Sequence, residues 1–131
     1  MAVTLSAATR ALLDDRNYVV LATLNPDGSP QTSVLWVARD GDDLLFSTLR
    51  DRAKERNLRR DPRASVSVWS NADPEVYAEI RGTVTIAEDT GRTLANTLSL
   101  KYTGQDFPTE SPDKTRVILR LTPTKVTGNA T

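Results

Sequence analysis

The chain has no cysteine and no histidine, and these absences exclude more chemistry than any motif supplies. Disulfides, thiol nucleophiles, Cys/His zinc sites, histidine-ligated haem and every Ser–His–Asp arrangement are ruled out. An enzyme built from this sequence must work with carboxylates, hydroxyls, Lys and Arg, or a borrowed cofactor. Net charge is absent too: 17 Lys and Arg balance 17 Asp and Glu, so bulk attraction to nucleic acid or to an anionic membrane is not expected. No apolar stretch approaches the roughly 20 residues of a membrane-spanning helix, and residues 1–17 lack a cationic start followed by a long apolar run. A soluble, cytoplasmic protein is expected.

With 131 residues, 38% apolar and 26% charged, the composition suits one globular domain spanning residues 1–131. A chain of this size buries only about 65–70% of its unfolded surface, so a homodimer interface would usefully complete the core. Leu5, Ala8, Leu12 and Leu13 recur at helical spacing and Asn17 is a stop. Tyr18 to Thr23 is a strand entering the turn Asn25-Pro26-Asp27-Gly28; a second strand runs from Gln31 to Arg39, and Asp40-Gly41 turns into a third at Leu44. Asp51 to Asp61 favours helix until Pro62 ends it. Ala64 to Ser70 and Glu75 to Ile86 alternate as strands, the latter with Val76, Ala78, Ile80, Val84 and Ile86 on one face. Leu94, Leu98 and Tyr102 share a face of a helix beginning near Thr90, Gly104 to Pro112 is a polar loop, and Arg116 to Val126 is a sixth strand. Six antiparallel strands with short helices and no βαβ crossover predict a mainly β barrel.

Seven basic residues lie between Arg50 and Arg63, against only Asp51, Glu55 and Asp61. A solvated helix face is the plain reading. The alternative is an anion site: a strand ending in Ser47-Thr48 leads into a helix start, where free amides, the helix dipole, Arg52 and Lys54 converge on a phosphate. Trp36, beside small polar residues, is either core filling or the wall of a flat ring site. Trp69 is open between core, subunit interface and cofactor cover. Glu79 and Arg81 read as a pair on one strand face. Asp40, Asp42 and Asp43 belong to a tight turn and not to a metal site, and no residue stands out as catalytic.

The string from Arg52 to Ala64, RAKERNLRRDPRA, preceded by Leu45-Phe46-Ser47-Thr48, resembles a signature of the flavin/deazaflavin oxidoreductase superfamily. The nearest branch is the pyridoxamine 5′-phosphate oxidase-like, coenzyme F420-dependent oxidoreductases. Leu21 to Leu24 with Asp27 to Gln31 resembles that family's opening hairpin, and Arg116 to Leu121 its closing strand, so the likeness covers roughly residues 6–128. It implies a homodimeric split β-barrel with the cofactor at the subunit interface. By the same likeness, Ser47 and Thr48 lie beside the cofactor phosphate, Arg52 and Lys54 hold it, and Asn57 assists. Thr32, Ser33, Val34, Leu35 and Trp36 lie along the ring, with Trp69 and Asn71 nearer the dimer seam. The FMN-using pyridoxamine phosphate oxidases carry Arg and Lys on the strand matching Gln31 to Ala38 and a His near the C-terminus. This chain has neither, which speaks against that activity. The implied cofactor is F420, with FMN as the alternative; Arg56, Arg59 and Arg60 would meet the anionic tail of F420. The implied reaction is hydride transfer to an electron-poor small molecule, the alternatives being an FMN-dependent reductase or oxidase and a non-catalytic cofactor-binding protein.

Overall fold

The computed structural model describes residues 2–131. In chain order the elements are α1 (Ala7–Asp14), β1 (Val19–Leu24), β2 (Pro30–Leu35), β3 (Ala38–Asp40), β4 (Asp43–Leu49), α2 (Ala53–Arg60), β5 (Arg63–Trp69), β6 (Tyr77–Glu88), a 3₁₀ turn (Thr90–Arg92), α3 (Thr93–Thr103) and β7 (Arg116–Thr127). One antiparallel sheet holds every strand, in the order β2-β1-β5-β6-β7-β4-β3. Its two edges, β2 and β3, are consecutive in the chain and joined only by Trp36 and Val37. So short a link forces the sheet to curl until its edges meet, giving a barrel split between β2 and β3.

The predicted second strand, Gln31 to Arg39, is thus two strands, making seven where six were expected. Val37 leaves the ladder because side chains of α3 take its backbone groups. Its N–H donates to the Tyr102 hydroxyl (3.2 Å), and its carbonyl accepts from Lys101 Nζ (2.7 Å). The Tyr102 hydroxyl itself donates to the Asn17 carbonyl (2.6 Å), and Lys101 also donates to the Leu13 carbonyl (2.6 Å). This latch fixes the corner at which the barrel is split.

Strand alternation fills the interior with fully buried Val19, Leu21, Leu44, Phe46, Val66, Val68, Ile80, Leu119 and Leu121, each stabilising the fold by about 1.5–3 kcal/mol. On α1 the inward residue is Thr9 and not Ala8: Ser6 caps the helix and Thr9 Oγ1 donates to the Ala130 carbonyl at 2.7 Å. The helix ends at Asp14 with Asp15 as its cap, and Asn17, expected as the stop, follows with its side-chain amide donating to the Leu12 carbonyl. Val76 falls outside β6 and is exposed, because its carbonyl closes the β5–β6 turn by accepting from Ser70 N–H. Gly82 sits at a bulge between β6 and β7, where a Cβ would stand 2.1 Å from the Thr122 carbonyl oxygen. No residue with a side chain fits there.

Candidate functional site

At the end of β4 the chain passes through Asp51 at φ +72°, a conformation that few residues with side chains adopt, and enters α2 at Arg52. Glu55, only 2% exposed, holds this corner: one carboxylate oxygen accepts the Asp51 N–H (2.7 Å) and the other accepts from Arg59 Nε (2.7 Å). Arg59 also pairs with the Asp51 carboxylate, and Arg56 donates to the Asp51 carbonyl. Arg60 donates to the Leu24 carbonyl and to Asn57 Oδ1, while Arg63 pairs with Asp61. Four of the seven cations are therefore consumed within the fold. Arg56, Arg59 and Arg60, expected to meet an anionic tail, are among them.

Arg50, Arg52 and Lys54 have no carboxylate or hydrogen-bond partner for their side chains among the described residues. Lys54 is half-buried, and its pKa is pushed below the ordinary lysine value by burial first and then by the like charges of Arg52 and Arg116. Lys54, Arg52 and Arg116 thus lie within reach of one another's charge near the start of α2, whose N-terminus no side chain caps. The unsatisfied amides and dipole of that first turn add to the same field. An anion bound there would relieve the repulsion and favour the charged form of Lys54.

Arg116 joins this cluster to a cleft of about 260 Å³. One wall is Val34, Leu35 and Trp36 at the end of β2 with Tyr18, the other Ala95 and Leu98 of α3, and Phe107 and Ser47 complete the lining. Trp36 stacks on Tyr102 with centroids 5.2 Å apart and planes within 9°. The Arg116 guanidinium lies 4.9 Å over the Phe107 ring and is oriented by Glu110 at 2.7 Å. Its bond to Glu110 holds that carboxyl below the usual range against the opposing effect of burial, and Arg92 adds to it. Ser47 Oγ is buried without a hydrogen-bond partner. Unpaired buried hydroxyls are uncommon, and this one belongs to a residue that lines the cleft.

The residues predicted for the site divide into those the structure brings together and those it separates. Val34, Leu35, Trp36 and Ser47 line the cleft; Arg52 and Lys54 lie outside its lining, near Arg116. Thr48, adjacent to Ser47, is buried on the inner face with Leu44 and Phe46, because neighbouring strand residues point to opposite sides. Asn57 is occupied elsewhere: its amide donates to Thr23 Oγ1 (3.0 Å) and Asn25 Oδ1 (3.1 Å), tying α2 to the first hairpin. Thr32 is exposed on the edge strand, and Ser33 accepts from Gln31. Trp69 closes β5 opposite Tyr77, away from the cleft, and Asn71 braces Asn17 and Arg16. Glu79 and Arg81 are paired as expected, and the turn aspartates serve arginines: Asp40 and Asp43 hold Arg120, Asp42 holds Arg10. A roomier hollow of about 440 Å³ on the outer side of β1, β5 and β6 has only Arg63 and Arg81 as charges, both ion-paired, so it offers no free cation.

Arg116 and Phe107 were not singled out from sequence. The register Leu49↔Arg116 between β4 and β7 delivers Arg116 to the start of α2, and strand alternation alone does not show which strand it will pair with.

An antiparallel split barrel with an aromatic-walled cleft that includes Arg116, and with the unpaired Arg52 and Lys54 near that arginine, defines a class: a protein suited to hold a flat ring carrying a phosphate. The donors present suit such a group, with apolar and aromatic walls for the ring, the orphaned Ser47 hydroxyl within the lining, and Arg52, Lys54 and Arg116 for the anion. The sequence profile described as "Pyridoxamine 5′-phosphate oxidase" matches residues 5–130. The structure of an F420 reductase superposes with a TM-score of 0.84 at 33% identity, covering 94% of this chain and 98% of the other. General Stress Protein 26 from Bacillus anthracis str. Sterne superposes with a TM-score of 0.69 at 23% identity, covering 91% of this chain and 88% of that one. A pyridoxamine 5′-phosphate oxidase-related, FMN binding protein from Nostoc punctiforme PCC 73102 gives 0.62 at 19% identity, covering 91% and 77%. The chain belongs to the pyridoxamine 5′-phosphate oxidase family of flavin and deazaflavin oxidoreductases. No helix among the described residues is long and apolar enough to cross a membrane.

Proposed function

We propose that this protein is a cytoplasmic, homodimeric F420-dependent oxidoreductase acting on an electron-poor small molecule. The observation that carries the reading is the cluster of Arg52, Lys54 and Arg116, with no acid to neutralise Lys54, of which Arg116 lines a cleft walled by Trp36 and Val34. Its likeness to an F420 reductase at 33% identity supports the choice of deazaflavin. When bound, the deazaflavin supplies hydride transfer. The chain's own work is binding and orientation. Arg52 and Lys54 hold the phosphate, the Trp36 side of the cleft fixes the plane of the ring, and Ser47 Oγ gains the partner it lacks. The Tyr102 hydroxyl is spent on Asn17 and Val37, and no histidine exists, so the proton that accompanies the hydride is left to solvent or to the Tyr18 or Ser47 hydroxyl of the lining. Edge strand β2 exposes Val34, 66% accessible, beside Tyr18, and a second protomer would cover this apolar surface next to the cleft.

FMN is the second reading, favoured by the structural likeness to an FMN binding protein and needing no cation beyond Arg52 and Lys54 for its monophosphate. Side-by-side titration of cofactor-free protein with F420 and FMN, followed by turnover with quinones and unsaturated carbonyl compounds, tests both. Preferential binding of F420 with acceptor-dependent oxidation of its reduced form is expected; preference for FMN moves the protein to the flavin reading. Tight binding of F420 with no turnover across the panel would make it a carrier.

A further inference from the structure

We infer that Phe107 sets the size of acceptor this protein takes: its ring is a partition between the cleft and a second hollow behind it, and it restricts the protein to small, flat, uncharged acceptors. The inference rests on the oxidoreductase reading and names the residue that limits its substrate range. Phe107 borders both spaces, the cleft of about 260 Å³ and a hollow of about 270 Å³ whose lining continues through Arg92, Asn96, Pro108 and Glu110. On α3 the division falls between neighbours, with Ala95 lining the cleft and Asn96 the hollow. Sites that enclose a drug-sized ligand run to roughly 300–1,000 Å³. The cleft alone falls short of that range, and the two spaces joined would lie within it. Arg116 is the one charged member of the cleft lining and is already paired with Glu110, which suits an uncharged acceptor.

The ring is held from both sides of its loop. Between Gly104 and Pro112 the chain is fastened to α3 at two points: the buried Ser99 donates to the Gln105 carbonyl (2.8 Å), and Asn96 Oδ1 accepts the Phe107 N–H (2.7 Å). Beyond the ring, Glu110 fixes the loop by accepting from Arg116 at 2.7 Å and from Arg92 at 3.4 Å. Arg92 in turn donates to the Ser111 and Lys114 carbonyls. The Arg116 guanidinium lies 4.9 Å over the Phe107 ring, and the attraction of a cation for an aromatic face adds to the hold. An acceptor that needs the space behind Phe107 binds only by breaking these contacts. The side chain itself is half-buried and lies outside the hydrophobic core of the barrel, so it can be changed without disturbing that core.

The test is equilibrium dialysis of menadione, which has two fused rings, and phenanthrenequinone, which has three, against the protein saturated with oxidised F420. No electrons pass between oxidised partners, so binding alone is read. The wild type should bind menadione the more tightly. Phe107→Ala should strengthen phenanthrenequinone relative to menadione by about tenfold or more, and Phe107→Trp should move the ratio the opposite way, with no matching change in F420 affinity. Opposed shifts separate a partition from a structural role, since a residue needed only for folding would weaken both quinones in either variant. An unchanged ratio in Phe107→Ala would overturn the inference, as would equal weakening of both quinones or binding of neither by wild type and variant. Failure of the oxidoreductase reading looks different. Binding of neither F420 nor FMN, or no oxidation of the reduced cofactor by menadione, would refute that reading, while the quinone ratio measured without cofactor still decides whether Phe107 divides the two spaces.

Discussion

Replacing Lys54 by methionine should separate stability from binding. Lys54 is half-buried, meets no acid, and faces the like charges of Arg52 and Arg116. Its pKa is lower in the folded chain than in the unfolded one, so across the alkaline range between the two values the unfolded chain holds more protons. Stability of the cofactor-free protein therefore rises with pH there, and charging Lys54 below that range is a standing cost. Methionine keeps the packing of the stem and removes the charge. Because the ammonium is partly solvated, the gain is discounted to about 0.5–1 kcal/mol, or roughly 2–5 °C in Tm for a domain of this size. The same change removes a charge-assisted contact to the phosphate, costing about 1.5–3 kcal/mol, which is about ten- to 150-fold in Kd. Thermal melts of cofactor-free protein and titration with F420 measure the two effects. A variant that melts lower yet binds with unchanged affinity would refute the view that this lysine is an uncompensated cation awaiting an anion.

Other substitutions probe the parts of the fold that position the site. Gly82→Ala should destabilise by about 2–3 kcal/mol in urea melts, because the added Cβ meets the Thr122 carbonyl oxygen at 2.1 Å. Tyr102→Phe keeps the stack on Trp36 but deprives the Val37 N–H and the Asn17 carbonyl of their partner, a loss of about 1–3 kcal/mol; Tyr102→Leu should in addition shift the Trp emission. Glu110 has its pKa depressed chiefly by its hydrogen bond from Arg116, so its stabilising contribution is full above the ordinary glutamate range and is lost as pH falls through the folded value. Glu110→Gln should therefore cost about 1 kcal/mol at neutral pH and flatten the acid dependence of stability. Hydrogen exchange around Phe107 should rise in the same variant.

The strand pattern was legible because Val66, Val68, Ala78, Ile80, Val84, Leu119 and Leu121 alternate with polar residues, and burial on one face is all that a half-buried strand requires. The break at Trp36–Val37 was not legible. It depends on Tyr102 and Lys101, more than 60 residues away in sequence, reaching Val37's amide and carbonyl. The basic segment raised the expectation of an anion site through local density of charge, yet which cations remain free is decided by the buried Glu55 and the Asp51 corner. That partition left Arg52 and Lys54 available while consuming Arg56, Arg59 and Arg60. Ser47 and Thr48 look equivalent in sequence, and strand alternation sends one to the cleft and the other to the core. Asn57 lies on the right segment, but its hydrogen bonds to Thr23 and Asn25 give it a bracing role.

In the proposed reading, Arg52 and Lys54 hold the cofactor's phosphate while the Trp36 cleft holds its ring. The most direct measurement is the affinity of wild type and the Arg52→Ala/Lys54→Met double variant for F420 and for a deazaflavin riboside without phosphate. The double variant should lose about two orders of magnitude or more in affinity for F420, while the phosphate-free ring should bind both proteins with the same weak affinity. Equal binding of F420 by the two proteins would contradict it.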